Sequence, residues 1–191
     1  MKKQSIQIIC TIICLFILSF PMSAQVKYQV GPNPELKVSG TSTLHDWEMV
    51  SIQATGEGIL IQQGGYLQEI KSLNIQMPAE SIKSGKGAMD NNTYAALDTK
   101  KHKQIKFTLS DITKTGDNSW KAKGKFTIAG VTNDASFDVK SSAVGSGFIF
   151  QGKHAFKLTD YQIDPPTALL GTVKTGDEVA IHFNVTLQPV Q

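Results

Sequence analysis

Apolar and polar residues alternate with a period of two from Tyr28 to the end of the chain, and this pattern restricts the fold more than any other feature. Side chains of a β-strand point to opposite faces in turn, so the alternation indicates strands with one apolar and one solvated face. It recurs over residues 105–109, 120–128, 135–139 and 148–150. It is clearest near the C-terminus, where the apolar series is Val179, Ile181, Phe183, Val185 and Leu187.

Clusters of Gly, Asn and Asp between these segments predict hairpin turns, because such residues tolerate the positive φ that tight turns need. The clusters are Gly64-Gly65, Gly116-Asp117-Asn118, residues 130–134, Gly145-Ser146-Gly147 and Gly176-Asp177. Sequential strands should then be antiparallel neighbours. A series of hairpins can close into a barrel, which removes exposed edges, and a two-sheet sandwich is the alternative.

Only residues 85–103 depart from the β pattern. There Asp90 is placed to cap a short helix at about residues 90–97, which contains Tyr94 and Leu97 and precedes a Lys-rich loop. Pro165-Pro166 does not suit a central strand, so residues 163–176 are predicted to form a long crossing loop before the last strand.

The N-terminus has the layout of a signal peptide: Lys2 and Lys3, then an apolar run to Phe20 that is too short to span a membrane. We expect cleavage after Ala24, one domain over residues 25–191, and a periplasmic protein with no stable membrane span. Cys10 and Cys14 would be removed with the signal, which leaves no disulfide and no thiol nucleophile. All basic residues are Lys, and their charge is nearly balanced by the acidic residues, which argues against nucleic-acid binding.

Few residues suggest chemistry. His45 and Asp46 could form a general-base pair, yet neighbours on a strand point to opposite faces, and a turn held by their own hydrogen bonds is the simpler interpretation. The histidines have no metal-ligand spacing, so neither a metal nor another cofactor is predicted. Lysines around His102 form a solvated loop or, alternatively, hold an anionic head group at a barrel mouth. That cluster comprises Lys100, Lys101, Lys103 and Lys106.

Several segments, in order and spacing, resemble the YceI-like family of periplasmic polyisoprenoid-binding, lipocalin-like proteins. They are Val38–Trp47, Met77–Gly85, Met89-Asp90 with Tyr94 and Leu97, His102 with Ile105–Phe107, Phe126–Thr132, Asp164–Gly171 and Lys174–Asp177. The resemblance implies an eight-stranded antiparallel barrel, extended relative to lipocalins, around an elongated apolar cavity for a long-chain isoprenoid or fatty amphiphile. It also implies a binder or carrier, not an enzyme. Many relatives have an Arg-Asp pair and a Phe-rich stretch at Met89–Tyr94, which leaves the head group open.

The function predicted from these features is that of a periplasmic carrier whose inward aromatic side chains contact the bound chain, with Tyr94 and Leu97 as a lid. The ligand-binding residues inferred from alternation and resemblance are Trp47, Tyr94, Leu97, Phe107, Phe126, Phe137, Phe148, Phe150 and Phe183. The alternation also fits a solid barrel that acts as an interaction module, and a hydrolase using His45 and Asp46 is a third hypothesis. A second copy of the chain, forming a homodimer, is a further partner to consider.

Overall fold

The computed structural model describes residues 25–190, and within them the chain is an antiparallel β-barrel with one α-helix. The predicted cleavage site and the segment before it lie outside the described residues. The α-helix, α1, spans Gly87–Ala96, and short 3-10 helices span Ala79–Ser81 and Leu158–Tyr161. The strands are β1 Gln25–Val30, β2 Glu35–Ser42, β3 Trp47–Ser51, β4 Thr55–Gln63, β5 Tyr66–Pro78, β6 Gln104–Gly116, β7 Ser119–Ile128, β8 Val131–Val144, β9 Gly147–Lys157, β10 Thr167–Ala168 and β11 Val173–Pro189.

Eight strands close into a ring, in the order β1, β4, β5, β6, β7, β8, β9, β11 and back to β1. Every pairing in the ring is antiparallel, because tight turns join most of the successive strands. The predicted eight-stranded antiparallel barrel with one short helix is therefore confirmed. The alternative prediction of a two-sheet sandwich is wrong.

The long last strand forms one wall of the barrel over its full height. Residues 178–187 of β11 pair with β9, while its other edge pairs first with β2 and then, at Leu187 to Pro189, with β1. Between β1 and β2 stands Gly31-Pro32-Asn33-Pro34, whose prolines cannot donate to a ladder, so one wall strand is split in two. The Gly31 amide still donates to the carbonyl of Thr186 at 2.8 Å, which keeps both halves beside β11.

The ends of the barrel differ because of strand direction. The turns at 64–65, 117–118 and 145–146 gather at one end, here called the closed end. Helix α1, the β2–β3 turn and the β9–β11 connection gather at the other, here called the mouth end. Two turn predictions are wrong there. Gly176-Asp177 lies inside β11, at a register shift opposite β2, and the crossing loop stops short because β10 forms a small hairpin with the start of β11.

Helix α1 begins earlier than predicted, at Gly87, and Asp90 does not cap it. Asp90 is buried in the first turn, where its carboxylate accepts hydrogen bonds from the Ser84 amide at 2.8 Å and the Ser84 hydroxyl at 2.7 Å. These bonds, together with nearby Lys83, hold the pKa of Asp90 below its usual range. The carboxylate thus fastens the loop that enters the helix, instead of satisfying the free amides of the helix start.

The inward positions predicted from the alternation are apolar and mostly buried. On β7 the series from Trp120 to Ile128 faces inward and is buried throughout, and on β11 the series from Val179 to Leu187 does the same, with Phe183 half-buried. At the closed end the interior is solid, since Tyr28 and Leu60 have no solvent exposure and line neither cavity. The interior is not filled evenly, and the space that remains lies toward the mouth end.

Candidate functional site

The barrel encloses a cavity of about 340 Å³ under helix α1, here called the upper cavity. Its walls are almost wholly apolar and come from α1, from the upper parts of β2, β3, β6 and β11, and from the β9–β11 connection. Representative wall residues are Met49, Ile105, Phe156, Ile163, Val179 and Ile181. A volume of this size is in the range of small-molecule sites.

Helix α1 covers the cavity with one face. Its lining residues fall at positions 88 and 89, 92 and 93, and 96 and 97, the spacing that places side chains on a single helical face. Thr93 anchors this face, because its hydroxyl donates to the Met89 carbonyl at 3.0 Å and contacts Met49 Sδ at 3.3 Å. The helix therefore presents a mostly apolar surface, broken by Asn92 and Thr93, to the interior.

Polar lining residues mark the place where the upper cavity meets solvent. His45, Lys86, Asn92 and Thr167 line the cavity and are also exposed. The mouth lies between the β2–β3 turn, the start of α1 and strand β10. Of the described residues that line the upper cavity, Lys86 and His45 can carry positive charge and none carries a carboxylate. An anionic or hydrogen-bonding head group fits such a rim better than a cationic one.

A smaller cavity of about 90 Å³, here called the lower cavity, lies deeper in the barrel. Five of its lining residues are phenylalanines, each from a different strand: Phe107, Phe126, Phe137, Phe150 and Phe183. Ring centroids of Phe107 and Phe126 are 4.8 Å apart, and those of Phe137 and Phe183 are 5.6 Å apart with an edge-on geometry. These contacts are within the range of favourable aromatic pairs, so the lower cavity has rigid walls.

The two cavities share three lining residues, Met77, Ile105 and Ile181. These side chains therefore form the boundary between a wide upper compartment and a narrow lower one. Flexible Met77 can adopt other rotamers at little cost, which makes the boundary adaptable to a ligand that reaches through it. Together the compartments form an apolar path that runs from the mouth toward the closed end.

His154 lines neither cavity and packs among aromatic residues of the barrel interior. Its ring stacks on Phe126, with centroids 5.3 Å apart and planes 4° apart, and on Phe156, with centroids 5.8 Å apart. Burial among these rings lowers the pKa of His154, because the apolar surroundings disfavour the imidazolium. At neutral pH His154 is therefore an uncharged ring that packs behind Phe126 and Phe156.

The His45-Asp46 pair forms a turn. His45 Nδ1 lies 2.7 Å from the backbone carbonyl of Asp46, and the Ser42 hydroxyl donates to the His45 carbonyl at 2.7 Å. Trp47 next to it donates its indole N–H to the Thr41 carbonyl at 2.9 Å. Gly40 leaves room for the Trp47 ring, since a Cβ there would overlap it. The arrangement shapes the rim of the mouth and does not aim a carboxylate at the imidazole.

Three of the four lysines around His102 line neither cavity. Lys101 pairs with Asp98 at 2.8 Å, and neither Lys100 nor Lys103 lines the upper or the lower cavity. The fourth, Lys106 on β6, is exposed and lines the edge of the lower cavity. Within residues 25–190 no group of three or more His, Cys, Asp or Glu side chains is arranged to hold a metal ion.

The nine predicted ligand-binding residues separate into three groups. Trp47 and Leu97 line the upper cavity, and the five phenylalanines named above line the lower cavity. Tyr94 and Phe148 line neither. Tyr94 is on the outer face of α1, where its hydroxyl is 2.9 Å from the carbonyls of Glu80 and Ile82, and Phe148 packs against Tyr28 at the closed end.

The polar rim was not predicted. His45 lies on the β2–β3 turn, Lys86 and Asn92 lie before and within α1, and Thr167 lies on β10, so no single stretch of sequence brings them together. The helical face of α1 did carry a signal, because Met89, Thr93 and Ala96 recur at intervals of three and four residues. A search for helical spacing in residues 87–97 would have identified that wall.

Comparison with protein-family models gives a match to the YceI-like domain over residues 35–187. A search of curated proteins gives no match. Solved structures provide further similarity. The crystal structure of Burkholderia cenocepacia BcnA has a TM-score of 0.68 and 18% identity, covering 80% of this chain and 95% of that one.

Two other solved structures show the same fold. A polyisoprenoid binding domain from Saccharophagus degradans, implicated in plant cell wall breakdown, has a TM-score of 0.63 and 10% identity, with 86% of this chain and 99% of that chain covered. The YCEI protein of Campylobacter jejuni has a TM-score of 0.54 and 20% identity, with 64% and 74% covered. At such identities the similarity establishes the barrel architecture only.

Proposed function

The chain belongs to the YceI-like family, and on this basis we propose that it binds a long-chain amphiphile, an isoprenoid or a fatty compound, inside its barrel. We further propose that it does so in the periplasm, as a carrier without catalytic activity. The polyisoprenoid binding domain of Saccharophagus degradans supports the ligand class. Within the described residues no helix is long and apolar enough to cross a bilayer.

The observation that carries the proposal is the apolar upper cavity of about 340 Å³. If a methylene takes up roughly the 30 Å³ of a water molecule in the liquid, this space holds a chain of roughly eleven carbons. Each methylene transferred from water contributes about 0.8 kcal/mol, so chain burial alone supports tight binding. The lower cavity adds room for the end of a longer chain, provided that the Met77 boundary opens.

The polarity of the walls orients the ligand. Apolar side chains surround the interior, whereas His45, Lys86, Asn92 and Thr167 stand at the mouth. An amphiphile therefore enters tail first and leaves its head group at the rim, since burying an unpaired polar group would oppose binding. The rim favours a head group that is anionic or rich in hydrogen-bond acceptors, because the lysine and the amide donate to it.

A solid barrel that works only through its outer surface is the main alternative. The two cavities argue against it, because protein interiors normally leave few voids larger than a water molecule. A hydrolase that uses His45 and Asp46 is disfavoured by the turn geometry, in which the imidazole contacts a backbone carbonyl. The homodimer stays a prediction from the sequence.

A pair of tryptophan substitutions on α1 tests the proposal. Ala96 lines the upper cavity, whereas neighbouring Ala95 is exposed and lines neither cavity. Ala96→Trp should fill part of the cavity and weaken binding of a fluorescent polyene fatty acid and of farnesol by at least tenfold. Ala95→Trp is the matched control, with the same residue change on the solvent side, and should bind both probes like the unsubstituted protein.

Titration of the purified protein with each probe, together with organic extraction and mass spectrometry, gives the readout. Stoichiometric binding that Ala96→Trp abolishes and Ala95→Trp preserves supports the carrier function. Absence of binding by the unsubstituted protein to both probes, with no extractable lipid, would refute it. Equal binding by both variants would place the ligand outside the upper cavity and would refute the site.

A further inference from the structure

Three leucines at the mouth end are exposed to solvent. Leu44 on the β2–β3 turn is 67% exposed, and Leu169 and Leu170 on the β10–β11 hairpin are 72% exposed and fully exposed. Single exposed apolar residues are common on protein surfaces, but here they are concentrated on two adjoining loops. We call these three residues the leucine tip.

Hydrogen bonds hold the two loops of the leucine tip together. The Thr43 amide donates to the Lys174 carbonyl at 2.9 Å, and the Lys174 amide donates back to the Thr43 hydroxyl at 3.1 Å. On the hairpin, the Thr172 hydroxyl donates to the Leu169 carbonyl at 2.6 Å. The two loops that bear the leucines are therefore joined by hydrogen bonds at the end of the barrel.

The backbone of the hairpin tip is costly for leucine. Leu169 and Leu170 have φ values of 50° and 56°, in the left-handed region that Gly and Asn occupy more readily. A loop selected only for stability would carry small polar residues at such positions. Two exposed leucines in this conformation therefore indicate a contact whose free energy offsets both the exposure of the side chains and the unfavourable backbone geometry.

The leucine tip adjoins the mouth of the upper cavity on both loops. Ser42 and His45 flank Leu44 and line the cavity, while Thr167 and Ala168 precede Leu169 and line it from the other side. The leucine tip therefore stands directly beside the polar rim of the mouth. A ligand that leaves a lipid layer touched by the tip would enter the mouth without crossing bulk water.

The charges beside the leucine tip complement a lipid surface. Lys86 lines the mouth and Lys174 follows the hairpin, and neither forms an ion pair with the described residues. Asp46 is the one carboxylate on residues 42–47 and 165–175. Within these ranges Lys174 balances Asp46, and Lys86 at the mouth adds one positive charge, which favours anionic phospholipid head groups.

We propose that the leucine tip docks the protein on a phospholipid bilayer, with Leu44, Leu169 and Leu170 inserted among the acyl chains and Lys86 and Lys174 beside the phosphates. The mouth then faces the membrane surface, where the ligand is taken up or released. Protruding side chains without a surrounding groove suit a fluid apolar layer better than a folded partner. This inference rests on the proposed function, because it assigns the surface through which the cavity exchanges its ligand.

The test uses the purified chain starting at Gln25, which contains every described strand and lacks the apolar N-terminal run that would itself bind lipid. Flotation with vesicles of phosphatidylethanolamine and phosphatidylglycerol measures docking, and vesicles of phosphatidylcholine alone report the charge contribution. The variant is Leu169→Ser with Leu170→Ser. The matched control is Tyr66→Ser, because Tyr66 is 73% exposed at the start of β5, at the closed end.

The double leucine variant should partition about a hundredfold less onto the anionic vesicles, at about tenfold for each leucine. Lys174→Gln should lower partitioning about fivefold on anionic vesicles only. Tyr66→Ser should partition like the unsubstituted chain. Flotation that the double variant retains, or no flotation of the unsubstituted chain, would overturn the docking proposal.

Binding of the fluorescent fatty acid, measured without vesicles, separates this inference from the proposed function. The double leucine variant should keep unchanged affinity for that probe, since neither leucine lines a cavity. Loss of flotation with intact probe binding supports docking. Intact flotation with intact probe binding leaves the carrier function in place and overturns docking alone, whereas failed probe binding by every form overturns the carrier function itself.

Discussion

Replacing Phe183 by Ala should weaken ligand binding while costing the empty barrel only part of what a packed phenylalanine contributes. Phe183 is half-buried on β11 and lines the lower cavity, so part of its ring already faces empty space. Phe148 is the matched control, because it lies 3% exposed in the solid closed end and lines neither cavity.

The two substitutions should differ in the lipid-free protein. Phe148→Ala removes a ring with partners on all sides and leaves a void, which costs about 3–5 kcal/mol of unfolding free energy. Phe183→Ala loses mainly the transfer free energy of its ring, about 1.5–3 kcal/mol, because the lower cavity already supplied the void. Urea melts of extracted protein measure both values.

The difference between the two variants should narrow when ligand is present. If Phe183 covers two methylenes of the bound chain, its removal costs about 1.6 kcal/mol of binding, or about a fifteenfold loss of affinity. At free ligand one hundred times the original Kd, stabilisation by ligand then falls from about 2.7 to about 1.2 kcal/mol. Phe148→Ala should keep the full stabilisation by ligand.

Melts with and without saturating fatty acid therefore distinguish a binding wall from ordinary core. A Phe183→Ala variant that loses as much stability as Phe148→Ala without lipid, and gains as much from lipid as the unsubstituted protein, would refute the assignment of the lower cavity to the ligand. A loss of ligand stabilisation confined to Phe183→Ala would support it.

Four further substitutions test the described packing. Tyr28→Phe should raise the unfolding free energy by about 1 kcal/mol in denaturant melts, because the buried Tyr28 hydroxyl has no hydrogen-bond partner among the described residues; a large loss would reveal an unseen partner. Gly124→Ala should cost several kcal/mol, since its Cβ would lie 2.5 Å from a backbone oxygen of β6, whereas Gly87→Ala, which meets open space, should be neutral or stabilising by thermal melting. Burial lowers the pKa of His154, so as the pH falls the unfolded chain takes up a proton at this imidazole before the folded chain does. The unfolding free energy should therefore be highest above about pH 6.5 and should decline below it. His154→Phe should reduce this decline, leaving the contribution of His182, whose pKa is also lowered; an unchanged pH profile would contradict the assignment.

The barrel was predictable because its strands are local patterns. Residues 120–128 and 179–187 alternate without interruption, and each alternation alone determines which face is inward. Gly176-Asp177 misled because a glycine pair of this kind marks a turn or a bulge equally well, and only pairing with β2 distinguishes them. The start of α1 was missed because Asp90 bonds Ser84 from inside the helix, a contact that the sequence pattern of a cap does not include.

The candidate site was predictable only in part, because the alternation of a strand gives the direction of its side chains and nothing more. Alternation correctly placed Phe107 and Phe150 inward, but it could not say which inward residues border empty space, since that depends on the sum of side-chain volumes around the ring. Phe148 is inward and solidly packed for this reason. The rim residues Lys86, just before α1, and Thr167, on β10, approach each other only because the barrel closes, so the fold and not the local sequence brings them together.

The closure of the ring through β11 also has a consequence for how the chain folds. The contacts of Tyr28 with Pro189 and of Val30 with Leu187 join the first strand to the last, so the barrel cannot close before the C-terminal strand is available. Forming contacts between residues so distant in sequence costs a large amount of chain entropy before the contacts contribute any stability. This cost slows folding. Until β11 is in place, β1, β2 and β9 all keep unpaired edges, and a chain shortened at its C-terminus should therefore aggregate instead of forming a smaller barrel.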